Sequence, residues 1–165
     1  MHRLSLGLEQ KLIEYLVQSQ NQFYYIAYGY LKNQEDALDA VQTAVCRALE
    51  RQSSLRNPDA MRTWFYRILI HVCTDILRQK NRLIFLPTEE LDAGSYDDPQ
   101  PEDGSLAQQV DALPPELALI IRLRFYEELS LAEISTVTGV NLNTVKTRLY
   151  SALKKLRLSM EGATL

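Results

Sequence analysis

Residues 129–157, LSLAEISTVTGVNLNTVKTRLYSALKKLR, decide the fold of the C-terminal part of the chain. Ser130 and Glu133 have the spacing of a capping box, which predicts that a helix begins immediately after the serine. Gly139 tolerates a positive φ at a break, and Asn141 is suited to cap a second helix. The pattern therefore predicts two helices joined by a tight turn, the arrangement of a helix-turn-helix.

The second of these helices has one apolar face and one polar, cationic face. The apolar residues that recur at helical spacing are Val145, Leu149, Ala152, Leu153 and Leu156. The opposite face carries Asn143, Lys146, Thr147, Tyr150, Ser151 and Lys154. A helix that enters the major groove of DNA needs such an outer face. A helical hairpin with a solvated face stays open as the alternative.

Charge is distributed in blocks along the chain. The 165 residues, with a net charge of −3, make one ordinary domain or two small ones and argue against a protein that coats nucleic acid. Residues 47–82 contain eight basic and three acidic side chains, and residues 83–121 contain nine acids without Lys or Arg. From 141 onwards there are five basic residues and one acid. Two basic segments therefore flank an acidic one.

The N-terminal half is predicted to form three helices. The first covers residues 8–31, and a break within it is left open. Asn33 caps the second, whose buried stripe is predicted to be Leu38, Val41, Val45 and Leu49. A polar strip on its other side contains Asp36, Asp39, Gln42 and Thr43. On the pattern alone, a solvated face is the simpler interpretation of that strip.

Asn57 and Pro58 predict the start of a long helix that continues to about Arg82. Its core face is predicted to contain Met61, Trp64, Phe65, Ile68, Val72 and Ile76. Another face contains Arg67, His71, Thr74, Asp75 and Arg78. Such a mixed face suits DNA phosphates and base edges, and it equally suits an ordinary wet surface.

Residues 87–110 are predicted to be a flexible linker because they are acidic, rich in Pro and Gly and poor in apolar side chains. Such a segment of about 24 residues reaches up to ~80 Å when fully extended. We therefore expect an all-α protein with two small helical domains, at 1–86 and 111–165, joined by this linker. The C-terminal domain contains the helix-turn-helix.

The sequence lacks the motifs of catalysis and of cofactor binding. It has no Gly-rich phosphate loop, no H-E-x-x-H and no metal-ligand spacing, so neither enzymatic activity, a metal nor a cofactor is predicted. Cys46 and Cys73 are predicted to be buried thiols. Neither a signal peptide nor an apolar run of membrane-spanning length is found, which predicts a cytoplasmic protein without direct membrane insertion.

Three segments resemble the extracytoplasmic-function (ECF) group of bacterial RNA polymerase sigma factors, in the sigma-70 family. They are NQEDALDAVQ at 33–42, MRTWFYRILIHVCTDILR at 61–78, and LPPELALIIRLRFYEELSLAEISTVTGVNLNTVKTRLYSALKKLR at 113–157. The first two are similar to the family's region 2 and the third to its region 4. Their order, on either side of an acidic linker, is strongly specific for this group.

The resemblance implies that the protein binds core RNA polymerase and directs it to promoters, which region 2 melts. Binding to the β′ clamp would involve Asp36, Asp39, Gln42 and Thr43, and region 4 would contact the β flap. The minus-10 element would be bound by Ser54, Leu55, Arg56, Asn57, Arg67, His71, Asp75 and Arg78. His71 stands where family members usually carry Asn.

The resemblance assigns duplex recognition of the minus-35 element to region 4. The residues are Asn143, Thr144, Lys146, Thr147, Arg148, Tyr150 and Ser151. It also implies an anti-sigma factor, often membrane-anchored, that would hold the protein at the membrane. The alternative is a free-standing helix-turn-helix regulator, which has no need for region 2.

Overall fold

The computed structural model describes residues 4–84 and 105–163, and all regular elements within these ranges are helical. The α-helices are α1 (Leu4–Gln18), α2 (Gln20–Leu31), α3 (Gln34–Glu50), α4 (Met61–Ile84), α5 (Leu106–Asp111), α6 (Pro115–Ile121), α7 (Leu131–Thr138) and α8 (Leu142–Ala163). Short 3-10 turns, Gln52–Ser54 and Pro58–Ala60, lie between α3 and α4, and a π-helical turn, Arg122–Tyr126, follows α6. The predicted all-α class is confirmed.

Several helix boundaries lie where the capping residues predict them. The Asn33 side chain accepts a hydrogen bond of 2.9 Å from the Asp36 N–H at the start of α3. At α7 both bonds of the capping box form, since Ser130 Oγ accepts from the Glu133 N–H (3.1 Å) and Glu133 Oε1 accepts from the Ser130 N–H (2.8 Å). Gly139 then ends α7 with a φ of 72°. The local sequence therefore fixes the helix-turn-helix.

Two of the predicted helices are divided differently. The helix expected over residues 8–31 is two helices, α1 and α2, separated at Ser19. The helix expected to start at Pro58 begins with a 3-10 turn, capped by Asn57, before α4 follows. Both differences concern where a helix begins or is interrupted, and the residues remain helical.

The buried stripe of α3 consists mainly of alanines. Ala37, Ala40, Ala44 and Ala48 are fully buried. These small side chains let α3 pack closely against α2 and α4. In contrast, Leu38 is 47% exposed and Leu49 is 38% exposed. The prediction that both leucines are buried is wrong. The neighbouring alanines face the other helices, because only small side chains fit where α3 packs this closely.

Helix α4 lies at the centre of the protein. The Phe65 ring is fully buried, with its centroid 4.2 Å from that of Phe23 on α2 and 6.2 Å from that of Tyr15 on α1. Tyr66, Leu69 and Ile70 are also buried, which the predicted core face did not include, and Cys73 is buried as predicted. The reason is that α4 packs on α2 and α3 along one side and on α7 along another.

The C-terminal helices α5–α8 form a second domain. Helix α5 occupies the end of the segment predicted as linker, and its Val110 is buried. Residues 87–104 of that segment lie outside the described residues, and the division of the chain at 87–110 stays a prediction. Helix α8 packs on α6 and α7 through Val145, Leu149 and Ala152.

The two domains pack directly against each other. Helix α2 contacts α6, and α4 contacts α7. The buried apolar residues of both domains belong to one continuous cluster. The N-terminal domain (α1–α4) and the C-terminal domain (α5–α8) are therefore docked together in this structure.

Candidate nucleic-acid and partner-binding surfaces

The outer face of α8 presents the residues that the sequence assigned to duplex DNA. Asn143, Thr144, Lys146, Thr147 and Tyr150 are exposed, and Arg148 and Ser151 are partly buried. The Tyr150 side chain is 67% exposed. The buried positions of α8 alternate with these at helical spacing, so the polar face points away from the core. Such a face is accessible to a major groove.

The turn before α8 is held by polar contacts within the motif. Ser135 Oγ donates a hydrogen bond of 2.6 Å to the Val140 carbonyl. Asn141 Oδ1 accepts from the Asn143 N–H at 2.8 Å, which caps the first turn of α8. The Thr147 hydroxyl donates to the Asn143 carbonyl at 2.9 Å and keeps its lone pairs for a further donor. These bonds fix the orientation of the polar face.

The loop between α3 and α4 contains the first group of predicted minus-10 residues. Trp64 Nε1 donates to Ser54 Oγ at 3.0 Å, and that hydroxyl donates to the Arg51 carbonyl at 2.7 Å. Leu55 is buried, whereas Arg56 is exposed. Leu55 therefore anchors the loop to the core, and Ser54 holds its shape. Asn57 caps the 3-10 turn that follows.

Along α4, the predicted DNA face is open. Arg67, His71 and Arg78 are exposed, and Asp75 is partly buried. Asp75 Oδ2 lies 3.8 Å from His71 Nε2 and 3.8 Å from Arg47 Nη1 on α3. Arg47 is a member of this charged cluster that the sequence analysis did not assign. Its place in the last turn of α3, before a loop with a predicted DNA role, was the available signal.

The polar strip of α3 is divided between two grooves. Gln42 and Leu38 line a groove between α2 and α3, together with Tyr24 and Val45. Thr43 lies on the other side, beside Arg47 and Asp75. Asp39 is exposed and lines neither groove. The apolar members of this groove were not assigned, because the sequence pattern placed Leu38 and Val45 in the core.

Asp36 differs from the other residues of the strip. Its carboxylate forms an ion pair with Lys80 of α4, and its side chain is only 22% exposed. This pair joins the N-terminus of α3 to the C-terminal part of α4. Asp36 is therefore engaged within the domain, while Asp39 and Gln42 face outward.

The two thiols have different environments. Cys73 is fully buried, and desolvation raises the pKa of its thiol to about 12. Cys46 is exposed at the α2–α3 groove, so the prediction that it is buried is wrong. In the described residues, no group of three or more His, Cys, Asp or Glu side chains is placed to hold a metal ion. None of the helices in those ranges is both long and apolar enough to cross a membrane.

The described residues therefore form a helical protein with an exposed polar face on α8, a charged face on α4 and a groove between α2 and α3. Residues 16–83 match the family model "Sigma-70 region 2", and residues 103–156 match "Sigma-70, region 4". The chain belongs to the sigma-70 family of RNA polymerase sigma factors, in its ECF group.

Relatives support the same assignment over the length of the chain. The chain is similar to RNA polymerase sigma factor SigV of Bacillus subtilis, with 40% identity over 152 residues, covering 90% of each chain. It is 30% identical over 153 residues to the ECF sigma factor SigW of the same organism, covering 83% of this chain and 82% of SigW.

A solved structure has the same fold. This is the sigma factor RpoE in its complex with the anti-sigma factor NepR from Bartonella quintana. The TM-score is 0.72 at 16% sequence identity, and the match covers 94% of this chain and 97% of that one.

Proposed function

We propose that this protein directs core RNA polymerase to promoters by contacting two elements with two parts of one chain. The observation that carries the proposal is the presence of both family regions in a single fold, each with an exposed polar face. The face of α8 is suited to the minus-35 duplex, and the charged face of α4 is suited to the minus-10 element. The protein binds core polymerase and positions it on promoter DNA, and the polymerase carries out RNA synthesis.

In the minus-35 contact, Lys146 and Tyr150 would reach furthest from the body of the domain. Both are exposed on the face of α8 opposite its buried positions. A lysine ammonium donates to the O6 and N7 atoms of guanine, and amide and hydroxyl groups such as those of Asn143 and Thr147 contact bases or phosphates. The Thr147 hydroxyl, already donating to the backbone, would act as an acceptor.

In the minus-10 contact, the loop before α4 and the exposed side chains of α4 would act together. Unpaired bases cost a few kcal/mol of stacking, so a melted strand must be held to remain open. Arg56 is an exposed cation of the loop, while Ser54 and Asn57, which are also exposed, hold the loop in shape through their hydrogen bonds. Arg67 and His71 continue the surface along the helix. Arg47, held near Asp75, adds a cation to this face.

Core polymerase would bind at the α2–α3 groove. The groove combines exposed apolar side chains, such as Leu38, with polar groups such as Gln42. A helical segment of the polymerase clamp with a complementary mixed surface would fit this groove. Asp39, which is exposed on the same helix, would contribute an electrostatic contact, whereas Asp36 contributes indirectly because Lys80 already pairs with it.

Regulation by an anti-sigma factor is proposed from the same family membership. The structural neighbour RpoE was solved as a complex with the anti-sigma factor NepR. We infer that a protein of this class holds the present chain inactive, at the membrane where that partner is membrane-anchored. We also infer that the protein works in the cytoplasm, where the polymerase and its promoters are.

Transcription by purified core polymerase on fragmented genomic DNA tests the proposed function. With the protein added, we expect discrete new transcripts whose start sites share a two-part upstream motif. Asp39→Ala and Gln42→Ala should reduce all of these transcripts together, because both act through core binding. If no transcripts appear and the protein alone shifts specific duplex DNA, it is a free-standing regulator instead.

A further inference from the structure

A histidine lies on the charged face of α4. The sequence contains two histidines, His2 and His71, and only the second is within the described residues. The side chain of His71 is 68% exposed, so it is accessible to a binding partner. Histidine is the side chain whose ordinary pKa, about 6.5, lies in the physiological range. The charge carried at this position therefore depends on its neighbours and on what binds there.

Two helices bring charged groups to this histidine. Asp75, one turn further along α4, has its Oδ2 atom 3.8 Å from His71 Nε2 and 3.8 Å from Nη1 of Arg47 on α3. All three side chains are at least partly exposed. Arg67 and Arg78 lie further along the same face of α4 and are exposed. The carboxylate is therefore shared by an arginine and a histidine, on a face that carries two more arginines.

The contact between His71 and Asp75 leaves the imidazole open to another partner. A separation of 3.8 Å is within ion-pair range but is longer than a hydrogen bond. Both groups are partly in solvent, where an ion pair is weak. The Nε2 atom is therefore not committed to Asp75, and an incoming acceptor can receive a hydrogen bond from it.

The net charge of this face changes by one with the protonation state of His71. When the imidazole is neutral, Arg47 and Asp75 compensate each other, and the net positive charge comes from Arg67 and Arg78. When the imidazole is protonated, the face gains a further positive charge, and both ring nitrogens are donors. Asp75 then has a cation on each side and repels an anion less. The protonated face is therefore the better binding surface for a polyanion.

A bound phosphate would in turn favour the protonated imidazole. An opposite charge within about 4–6 Å stabilises the charged form of an ionisable group. A DNA strand that follows α4 would bring phosphates to this distance from an exposed side chain. Protonation and strand binding then favour each other, with the same coupling in both directions. The effect is largest for a phosphate, because it carries a full negative charge.

We propose that His71 binds a phosphate of the minus-10 strand in its protonated form, so that engagement of the strand takes up a proton. This inference rests on the proposed function, since it assumes that the minus-10 strand lies along α4. Arg67 and Arg78 contact the same strand at any pH, and His71 adds a contact that strengthens as the pH falls. Promoter engagement by this protein is thereby linked to the acidity of its surroundings.

The affinity of the assembled holoenzyme for the minus-10 strand tests the proposal. The protein is combined with core polymerase, and binding of a fluorescent single-stranded oligonucleotide with the minus-10 sequence of a mapped promoter is measured at constant ionic strength. Linkage to one proton changes the affinity by at most about tenfold for each pH unit. We expect binding about three- to tenfold tighter near pH 6 than near pH 8. A single strand excludes any contribution from duplex melting.

Two substitutions at position 71 fix the charge and serve as references. His71→Asn is neutral at every pH, so its affinity should be independent of pH and match that of wild type near pH 8. His71→Lys is positive over the whole range, so it should bind at both pH values as wild type does near pH 6. Position 71 is exposed, so neither substitution disturbs the core.

His2→Asn is the matched control and should keep the pH dependence of wild type. The same core polymerase is used with every variant, so its own pH dependence contributes equally to all of them. The difference between wild type and His71→Asn therefore reports the proton taken up at position 71.

The salt dependence of binding distinguishes a phosphate from a base edge. Each phosphate contact to a single strand contributes about −0.7 to the slope of log K against the logarithm of the salt concentration. For wild type, we expect this slope to be steeper near pH 6 than near pH 8 by about that amount. For His71→Asn, the slope should be the same at both pH values.

Either of two results would overturn the proposal. One is an affinity of wild type that follows pH no more closely than that of His71→Asn. The other is a pH-dependent affinity with an unchanged salt slope, which would place His71 on a base edge. Transcription from the mapped promoter is measured with the same proteins. Specific transcription without the pH dependence rejects the role of His71 and keeps the proposed function, whereas the absence of specific transcription with wild type rejects the proposed function itself.

Discussion

The two candidate DNA-binding regions are built in opposite ways. In the helix-turn-helix, Ser130, Glu133 and Gly139 fix the motif through contacts with residues close in sequence. In the N-terminal domain, the position of α4 depends on ring contacts between Phe65 and residues of α1 and α2, more than 40 positions away. We therefore expect the helix-turn-helix to keep its structure when distant residues are substituted. The surface on α4, in contrast, should be lost as a whole when one of its long-range packing contacts is removed.

Phe65→Ala should have the largest effect on stability. It would also show whether the two regions lose their binding activities independently. Removing a fully buried ring costs about 3–5 kcal/mol of unfolding free energy, because a cavity remains among Phe23, Tyr15 and Tyr66. Urea denaturation measures this loss. We expect binding to core polymerase to fall together with stability, while binding of α8 to a minus-35 duplex is largely retained. Equal loss of both activities would show that the two regions are not independent.

Lys146→Ala tests the local region alone. If its ammonium contacts a guanine edge, the loss should be about 1–3 kcal/mol in binding to the minus-35 duplex, with no change in stability. Lys155→Ala is the control, since it is exposed on the opposite side of the same helix. Fluorescence anisotropy on the mapped promoter duplex gives both dissociation constants. Similar losses for both lysines would indicate general electrostatic attraction without recognition by this face.

Leu38→Ala tests the long-range region at its surface. The side chain is 47% exposed at the α2–α3 groove, so its removal should leave the fold intact and weaken core polymerase binding about tenfold. Leu49→Ala provides the matched control: it is 38% exposed on the same helix and does not line this groove. Titration of labelled protein with core polymerase measures the two affinities. If Leu38→Ala binds core polymerase as tightly as wild type, the α2–α3 groove is not the binding site.

The smallest expected effect concerns the pH dependence of the helix-turn-helix. The hydrogen bond from the Ser130 N–H lowers the pKa of Glu133 below its ordinary value of 4.5, although burial acts in the opposite direction. A carboxyl group with a lowered pKa stabilises the fold above its unfolded-state pKa. This contribution is lost as the pH falls through the folded-state value. Glu133→Gln should therefore lose less stability than wild type between pH 6 and acid conditions, as measured by urea denaturation at each pH.

Much of the local structure could be predicted from the sequence. Asn33, Ser130 and Gly139 begin or end helices where their side chains and backbone preferences require it. The exposed face of α8 follows from its 3.6-residue period alone. Each of these features depends on neighbours within one or two helical turns, so the sequence contains the full information.

The residues that were predicted wrongly share a different property. Leu38, Leu49 and Cys46 are exposed because alanines at neighbouring positions allow α3 to approach its partners more closely. Helical periodicity identifies an apolar stripe but not which of two adjacent stripes will be covered. Arg122, about which the sequence made no prediction, is buried for a related reason, since it packs against Tyr25 and Gly29 of α2. Such features depend on the tertiary partner.

Crosslinking within one initiation complex tests whether one chain contacts both promoter elements at the same time. A photoreactive amino acid replaces Tyr150 on α8 in one variant and His71 on α4 in another, both exposed positions. Each variant is assembled with core polymerase on a mapped promoter. The account predicts that the label at 150 reacts with duplex DNA at the upstream element and the label at 71 with DNA about 25 base pairs downstream, two to three helical turns away. Reaction of both labels at the same element, or of neither with DNA, would contradict it.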